Sequence, residues 1–585
     1  MHLTDTRRRF LATFTSVGLG GTLVPGVAWA RMQEAGADRI TLAMIADALK
    51  LSGVTLPEAE QQALVDSANT NLERIEELRG LHIPNDVSPP YHFSPVVPGM
   101  VVDRTRQPWV MSKPPSLRRP ARLDDAAFWP VRHLAELVRT KQISSVELTR
   151  MYLARLHRHN SVLNNVVTFL DDHGLAEAEH ADREIAAGRY KGPLHGIPWG
   201  CKDIISVKGY KTTWGSPAFT EQQFDYDASI VEMLRAAGAV LIAKLATGEL
   251  ASGDNWFGGQ TKSPWDAAQG SSGSSAGPAS ATAAGGVAFA IGTETSGSIL
   301  SPAARCGVVG LRPTFGRVSR HGAMALSWTQ DRLGPLCRYA EDCALVMQAI
   351  AKPDGRDMSV TDVPFNWNAG LDIRTLKVGM LQASFDELTE PSAKANAAAT
   401  LDALRALGVK EFVPVPVPEF AYDVSAIAVE SAAFFDEHAR AGRMVKARNG
   451  GRPSGRLVSA VDFLQAQRAR MVMMQALAEA TAHVDVYVVA SNSVGRGGPG
   501  GPPPPRAPGT PRPPRPPQTP GQRHFQMANL ACYPAVNVPN GFADGGTPTS
   551  IVFYAQPYRE LEVLALARAY QTATTWHTRR PSAAS

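Results

Sequence analysis

The chain has 585 residues, of which 44% are hydrophobic and 19% are charged, so it is long enough for several globular domains. Its formal charge of +5 comes from the arginines of segments 1–30 and 496–523, and the rest of the chain is slightly acidic. That body lacks the basic face of a nucleic-acid-binding protein. The five cysteines are too few, and odd in number, for a disulfide framework.

The N-terminus has the features of an export signal. Residues 6–11 read Thr-Arg-Arg-Arg-Phe-Leu, which resembles a twin-arginine signal, and a mildly apolar stretch covers 10–27. Residues 28–30, Ala-Trp-Ala, form a small-residue cleavage site. The alternative is an N-terminal membrane anchor, but the glycines and Pro25 in this stretch disfavour a membrane-spanning helix. We expect twin-arginine export to the periplasm or beyond, removal of 1–30 and no stable membrane insertion afterwards.

Four further segments follow from composition and periodicity. Apolar residues at helical spacing predict a helical extension over 31–90, and the Pro- and Arg-rich residues 91–124 predict an extended connector. One large domain is expected over 125–580. It is interrupted at 495–522, where twelve prolines and no acidic residue predict a disordered or polyproline-like insertion. This insertion is either a basic tether to a partner, or a tolerated insertion or an error in the sequence.

Apolar strands alternate with helices through this large domain. In chain order we predict a helix at 131–139, a helix begun by a capping box at 144–147, a helix at 230–237, and strands at 239–243, 287–291, 376–380 and 484–489. This alternation predicts an α/β fold, a single large α/β/α domain with a mixed central sheet covered by helices.

Residues 269–301 hold two serine clusters set in glycine. Ser274 lies in Gly-Ser-Ser-Ala-Gly, and Ser298 follows it by 24 residues in Thr-Ser-Gly-Ser-Ile. Glycine lets backbone N–H groups approach a reacting atom, and serine supplies a nucleophile and a proton carrier. A flexible linker is the alternative, but the apolar run 287–291 reads as a buried strand leading into a turn at 292–298. Such a turn is a common place for a nucleophile and an oxyanion hole.

These clusters and several separated segments resemble the amidase signature family, in order and spacing. The resemblance covers roughly 125–492 and 524–580, and it is carried by the segments 192–203, 273–280, 292–299, 302–314, 331–338 and 533–539. It implies one large α/β/α domain and the hydrolysis of amides through a Ser–cis-Ser–Lys triad, without a cofactor and without a metal. No Cys/His metal spacing, P-loop or dinucleotide fingerprint is present in the sequence.

The resemblance assigns the catalytic roles residue by residue. It implies Ser298 as the nucleophile, Lys202 as the base, and Ser274 as the proton relay across a cis peptide, with Ser275 as a supporting hydrogen-bond donor. A lysine must be neutral to accept a proton, and the apolar neighbours of Lys202 favour the neutral form. Asp203 opposes this by its charge, although on a strand its side chain points to the opposite face.

The backbone N–H groups of Thr295, Ser296, Gly297 and Ser298 are the candidate oxyanion donors. The family often has glycine where Ser296 stands, a change that keeps the backbone donor. It often has arginine where Leu300 stands, so no substrate carboxylate site is expected at that position.

Asn255, Trp256 and Phe257 lie where the family often lines the substrate channel, although Trp256 could equally be a core residue. Arg312 and Arg338 are expected to form structural ion pairs.

We therefore predict a hydrolase that cleaves a small-molecule carboxylic amide through an acyl-enzyme on Ser298. The first alternative is an amidotransferase A-type subunit that releases ammonia from glutamine for a partner. The second is a catalytically inactive exported binding protein. No nucleic-acid partner is expected, and a homodimer stays open.

Overall fold

The structure is a computed structural model that describes residues 40–52, 92–420, 426–447, 458–491 and 518–582, with isolated positions between 53 and 91 and residue 455. The predicted export signal and most of the predicted insertion lie outside these residues. The chain divides into two compact units, of which the smaller joins residues 1–89, 325–328 and 422–469. All the strands described below belong to the larger unit.

One mixed sheet of eleven strands forms the centre of the larger unit, in the order β1-β3-β2-β8-β10-β9-β14-β15-β13-β11-β12. Two separate two-stranded sheets pair β4 with β5 and β6 with β7. The strands are β1 Val166–Phe169, β2 Pro198–Lys202, β3 Val240–Leu245, β4 Asn255–Trp256, β5 Gly259–Gln260, β6 Lys262–Ser263, β7 Asp266–Gly270, β8 Phe289–Glu294, β9 Val309–Arg312, β10 Arg332–Cys337, β11 Val378–Met380, β12 Val413–Pro414, β13 Val486–Ala490, β14 Ala535–Phe542 and β15 Pro548–Tyr554.

Helices of the larger unit cover this sheet, as the predicted α/β architecture requires. In chain order the helices of both units are α1 Leu42–Ser52, α2 Val131–Arg139, α3 Ser145–Leu163, α4 Asp171–Ala186, α5 Ser229–Ala236, α6 Ala276–Ala283, α7 Leu300–Cys306, α8 Ala340–Ile350, α9 Gln382–Asp386, α10 Pro391–Ala406, α11 Ala426–Phe434, α12 Asp436–Arg440, α13 Ala460–Thr481, α14 Pro520–Leu530 and α15 Glu560–Ala573. Of these, α1, α11 and α12 belong to the smaller unit, and α13 runs from the smaller unit into the larger one. Among the described helices, none is both long and apolar enough to cross a bilayer.

The register of strands β2, β8 and β10 brings Lys202, Glu294 and Arg332 to the same edge of the sheet. Strand β2 runs parallel to β8, and β8 runs antiparallel to β10, with Arg332 directly opposite Glu294. The carboxyl ends of β2 and β8 and the beginning of β10 therefore meet at one edge of the sheet. Lys202 is the last residue of β2 at that edge.

Small residues let two short helices pack closely beneath this edge. Ala279 and Ala283 of α6 form one buried cluster with Ile299, Ala303 and Leu336. Gly277 of α6 lies so close to strand β3 that a Cβ atom would come within 2.3 Å of the Ala246 nitrogen. The serine-rich stretch is therefore a core segment rather than a linker.

Local predictions agree with the structure at several elements. Helix α2 spans the predicted residues, and the capping box is formed by Glu147 N–H donating to Ser144 Oγ (3.0 Å) and Ser144 N–H donating to Glu147 Oε2 (2.9 Å). Several predicted boundaries differ by one to three residues, as for the strand predicted at 287–291, which is Phe289–Glu294. Helix α14 also begins inside the predicted insertion, at Pro520 with Thr519 as its N-cap. The last residues of the predicted 495–522 insertion are thus helical, since the Thr519 hydroxyl accepts a hydrogen bond from Gln522 N–H.

Candidate active site

Lys202 is fully buried, and its amine meets only uncharged oxygens. Its Nζ lies 2.7 Å from Ser274 Oγ and 2.8 Å from Thr293 Oγ1, with the Thr293 carbonyl oxygen at 3.5 Å. Burial lowers the pKa of Lys202 to about 7, although the charges of Asp331 and Glu294 work in the opposite direction. A substantial fraction of the amine is therefore neutral near pH 7.

Asp203 does not form an ion pair with Lys202, because the Asp203 carboxylate faces a second buried lysine. Lys244 Nζ lies 2.8 Å from Asp203 Oδ1, and both side chains are fully buried. Asp203 Oδ2 accepts hydrogen bonds from the backbone N–H and the hydroxyl of Thr213. The alternation expected on a strand thus separates the two neighbouring charges.

The first serine cluster is held against the second by its backbone. The Gly273–Ser274 peptide bond is cis, as the sequence resemblance implies. Ser275 N–H donates to the Ser298 carbonyl (3.0 Å), and the Ser275 hydroxyl donates to the Thr293 carbonyl (3.0 Å). Ser298 is half-buried in the turn between β8 and α7. The structure therefore brings together the segments that carry Lys202, Ser274, Ser275 and Ser298.

The turn at 295–298 presents a row of free backbone donors. In the part of the chain that the structure describes, the N–H groups of Ser296, Gly297 and Ser298 have no protein acceptor. Gly297 has a φ of +86°, a conformation that favours glycine, and Ser296 is exposed. These groups are available to an oxygen atom of a bound molecule.

Glu294 fixes the far end of this turn. Its Oε2 accepts hydrogen bonds from the N–H groups of Ile299 (2.8 Å) and Leu300 (3.0 Å) at the start of α7. Its Oε1 pairs with Arg312 Nη1 at 3.0 Å. Burial raises the pKa of Glu294, but Arg312, Arg332 and the two N–H groups outweigh it and hold the pKa below the ordinary value.

The ion pair expected for Arg312 is confirmed, whereas Arg338 has no carboxylate partner among the residues that the structure describes, so the ion pair expected there is not found. Arg312 also donates to the Tyr533 carbonyl from Nε (3.0 Å) and Nη2 (2.8 Å). Arg338 instead donates to the backbone carbonyls of Ala283, His577 and Arg579, at 3.1 to 3.2 Å. Three carbonyl dipoles thus take the place of a carboxylate.

Asn255, Trp256 and Phe257 lie beside the segment that contacts the first serine cluster. A Cβ atom on Gly273 would come within 1.9 Å of the Gly253 carbonyl oxygen, so the chain just before Asn255 is packed against the cis peptide. Trp256 is buried and Phe257 is largely exposed, with their rings in edge-to-face contact at 4.8 Å. Their role towards a substrate stays a prediction.

Three polar residues of this edge were not predicted from the sequence. Thr293 supplies the second hydroxyl against Lys202, Asp331 Oδ1 accepts a hydrogen bond from the Thr295 hydroxyl (2.5 Å), and Arg332 Nη2 donates to the Thr295 carbonyl (2.8 Å). Thr293 lies within the Gly-Thr-Glu-Thr motif. Its place two residues before Thr295 on an alternating strand is the signal that could have identified it.

Comparison with known proteins places this arrangement in a family. The amidase family model matches residues 147–564. The glutamyl-tRNA(Gln) amidotransferase A-type subunit of Geobacter metallireducens is 33% identical over 480 residues, 77% of this chain and 98% of that protein. The protein of the same name from Methylococcus capsulatus is 34% identical over 488 residues, with the same two coverages.

Among solved structures, the native peptide amidase from Stenotrophomonas maltophilia matches with a TM-score of 0.63 and 28% identity, covering 78% of this chain and 99% of that one. The family match extends over more than half of the sequence, and the fold is that of a solved amidase. The chain with the buried lysine, the two serine clusters and the eleven-stranded sheet therefore belongs to the amidase signature family.

Proposed function

We propose that this protein is an amidase that hydrolyses a carboxylic amide through an acyl-enzyme on Ser298. The observation that carries the proposal is the 2.7 Å contact between Lys202 Nζ and Ser274 Oγ in surroundings that lower the pKa of Lys202 to about 7. A buried, partly neutral lysine beside a hydroxyl is suited to accept a proton.

In the proposed mechanism the Ser298 hydroxyl attacks the amide carbonyl carbon. Its proton passes to Ser274 Oγ while the Ser274 proton passes to Lys202 Nζ. The oxyanion is bound by the backbone N–H groups of the 295–298 turn. The C–N bond then breaks, the proton returns through Ser274 to the leaving nitrogen, and water releases the acid by the same relay.

An amidotransferase A-type function is the second candidate, and the 33–34% identity to proteins of that name favours it. Such a protein would release ammonia from glutamine for a partner. Leu300 argues for simple hydrolysis, because this buried residue leaves no cation at that position for the α-carboxylate of glutamine. Glutaminase activity that rises when the two other subunits are added would favour the amidotransferase.

A fluorophosphonate probe on the purified protein tests the nucleophile. We expect labelling at Ser298, loss of labelling and of amide hydrolysis in Ser298→Ala, and retention of both in Ser301→Ala, which removes a nearby hydroxyl from helix α7. Full amide hydrolysis by Ser298→Ala would overturn the proposal. Absence of both activities in the wild-type chain would favour the inactive binding protein.

A panel of amides with varied acyl and amine parts defines the substrate. Aliphatic, aryl and peptide C-terminal amides belong in the panel together with esters, because the residues near Ser298 do not single out one of them. Peptide C-terminal amides must be in the panel, because one solved structure with the same fold is a peptide amidase.

We also propose export by the twin-arginine route, to the periplasm or beyond. The support is the Thr-Arg-Arg-Arg-Phe-Leu sequence followed by an apolar stretch and Ala-Trp-Ala. Cell fractionation and N-terminal sequencing should find the mature chain beginning at residue 31 outside the cytoplasm. The double substitution Arg7→Lys and Arg8→Lys should retain the full-length chain in the cytoplasm, and its unchanged export would contradict this route.

A further inference from the structure

The carbonyl oxygen of Thr295 receives two hydrogen bonds from the segment that begins strand β10. Gln330 Nε2 and Arg332 Nη2 each donate to it at 2.8 Å. Both donor side chains are buried, with exposures of 1% and 2%. The peptide group that ends in this carbonyl also contains the N–H of Ser296, the first free donor of the turn.

Arg332 brings a cationic donor to this carbonyl. Among the described residues, its Nε and Nη1 have no hydrogen-bond acceptor, and its Nη2 also lies 3.4 Å from Asn529 Oδ1. Burial lowers the pKa of Arg332 to about 10, so the guanidinium stays cationic at neutral pH. A hydrogen bond from a cationic donor in a buried site is stronger than a neutral one.

The geometry makes the turn rigid at both ends. Glu294 holds the N–H groups of Ile299 and Leu300, while Gln330 and Arg332 hold the Thr295 carbonyl. A peptide group whose carbonyl accepts strong hydrogen bonds becomes a stronger donor through its N–H, because the hydrogen bonds polarise the same amide.

We propose that Arg332, assisted by Gln330, polarises and orients the Thr295–Ser296 peptide so that the Ser296 N–H stabilises the oxyanion formed on the substrate. Both are positioning residues, since they act through the backbone and do not touch the reacting atoms. The inference rests on the proposed function, because it requires Ser298 to form a tetrahedral adduct whose oxygen lies at the 295–298 turn.

Arg332→Met and Arg332→Lys test this role, with Arg338→Met as the matched control. Arg338 is also buried, its pKa is likewise lowered to about 10, and it donates to backbone carbonyls outside the turn. Two readouts are measured: the second-order rate constant of labelling by a fluorophosphonate, and the ratio of affinities for an alkyl trifluoromethyl ketone and the matching methyl ketone. The trifluoromethyl ketone forms an anionic adduct with a serine nucleophile, whereas the methyl ketone reports ground-state binding.

We expect Arg332→Met to lower both the labelling rate and the affinity ratio about 10- to 100-fold, less than the roughly 100- to 1000-fold typical of losing an oxyanion donor outright. Arg332→Lys should recover part of the loss because it keeps the charge, and Arg338→Met should change neither readout by more than about threefold. Equal behaviour of Arg332→Met and Arg338→Met would overturn the inference.

The wild-type chain separates this inference from the proposed function. If the wild-type protein is not labelled at Ser298, the proposed function fails and the positioning role fails with it. If it is labelled but Arg332→Met keeps the wild-type ratio, only the positioning role fails. If Arg332→Met does not fold, Gln330→Met is measured instead. We expect it to lower the ratio of affinities for the two ketones by about 3- to 10-fold, and an unchanged ratio would contradict the inference.

Discussion

The hydroxyls of Ser274 and Thr293 both contact the Lys202 amine, which has no ion-pair partner among the described residues. In the proposed mechanism the protonation state of this amine therefore controls activity. Because burial lowers the pKa of Lys202 to about 7, a growing fraction of the amine is charged and unable to accept a proton as the pH falls below that value. The labelling rate at Ser298 should rise about tenfold per pH unit below pH 7 and level off above it. Fluorophosphonate rates between about pH 5 and 9 check this, and a flat profile would contradict it.

In the proposed mechanism Ser274 passes the proton from Ser298 to Lys202, so its loss should be severe although Ser298 remains. Ser274→Ala should lower the labelling rate by about 100-fold or more, within the range typical of lost general acid–base catalysis. Ser272→Ala is the matched control, since it removes a hydroxyl two residues away from the same loop. Equal rates for the two variants would refute the relay.

The motifs allow the prediction of Lys202, Ser274 and Ser298 from the sequence, because each lies in a run of distinctive residues. Thr293 could have been found from its place two residues before Thr295, but the role of Arg332 could not. That role depends on the lateral order of β2, β8 and β10 and on the register that places Arg332 opposite Glu294, and local spacing does not encode either of them.

The packing of helix α6 against the sheet can be tested by mutation, because the first turn of α6 lies against the backbone at the end of strand β3. In Gly277→Ala the new Cβ would meet the Ala246 nitrogen and the Asn165 carbonyl oxygen, at 2.3 and 2.5 Å. We expect a loss of about 1–3 kcal/mol in the free energy of unfolding. Thermal or urea unfolding measures it, with Gly545→Ala, which has open space at its Cβ, as the control. Equal stability of the two variants would contradict the packing.

Helices with clear signals were predicted well, as the capping box before α3 illustrates. Short strands such as β4 and β12, of two residues each, carry no periodic signal, and their pairing depends on distant segments. The order of the strands in the sheet could not be predicted from the sequence either. Its mixed character and its covering by helices were predicted.

Deletion of the Pro-rich segment 493–516 should leave the rest of the molecule folded and the catalytic domain intact. Residues 493–516 lie outside the described residues, and we predict from their Pro- and Gly-rich composition that they form no packed core. Replacing them with a short Gly/Ser linker should leave the labelling rate unchanged and shift Tm by less than about 2 °C, because loop length affects stability weakly. A loss of labelling in a folded variant would show that the segment serves the site.

The Arg312 guanidinium has a consequence for the order in which the enzyme gains its activity during translation. It pairs with Glu294 and also donates to Asn529 Oδ1 and to the Tyr533 carbonyl, which lie 217 and 221 positions later in the chain. A nascent chain that ends before residue 529 contains the lysine and both serines but lacks these acceptors. Covalent labelling of ribosome-bound chains of increasing length should therefore begin only once residues 529–533 have left the exit tunnel.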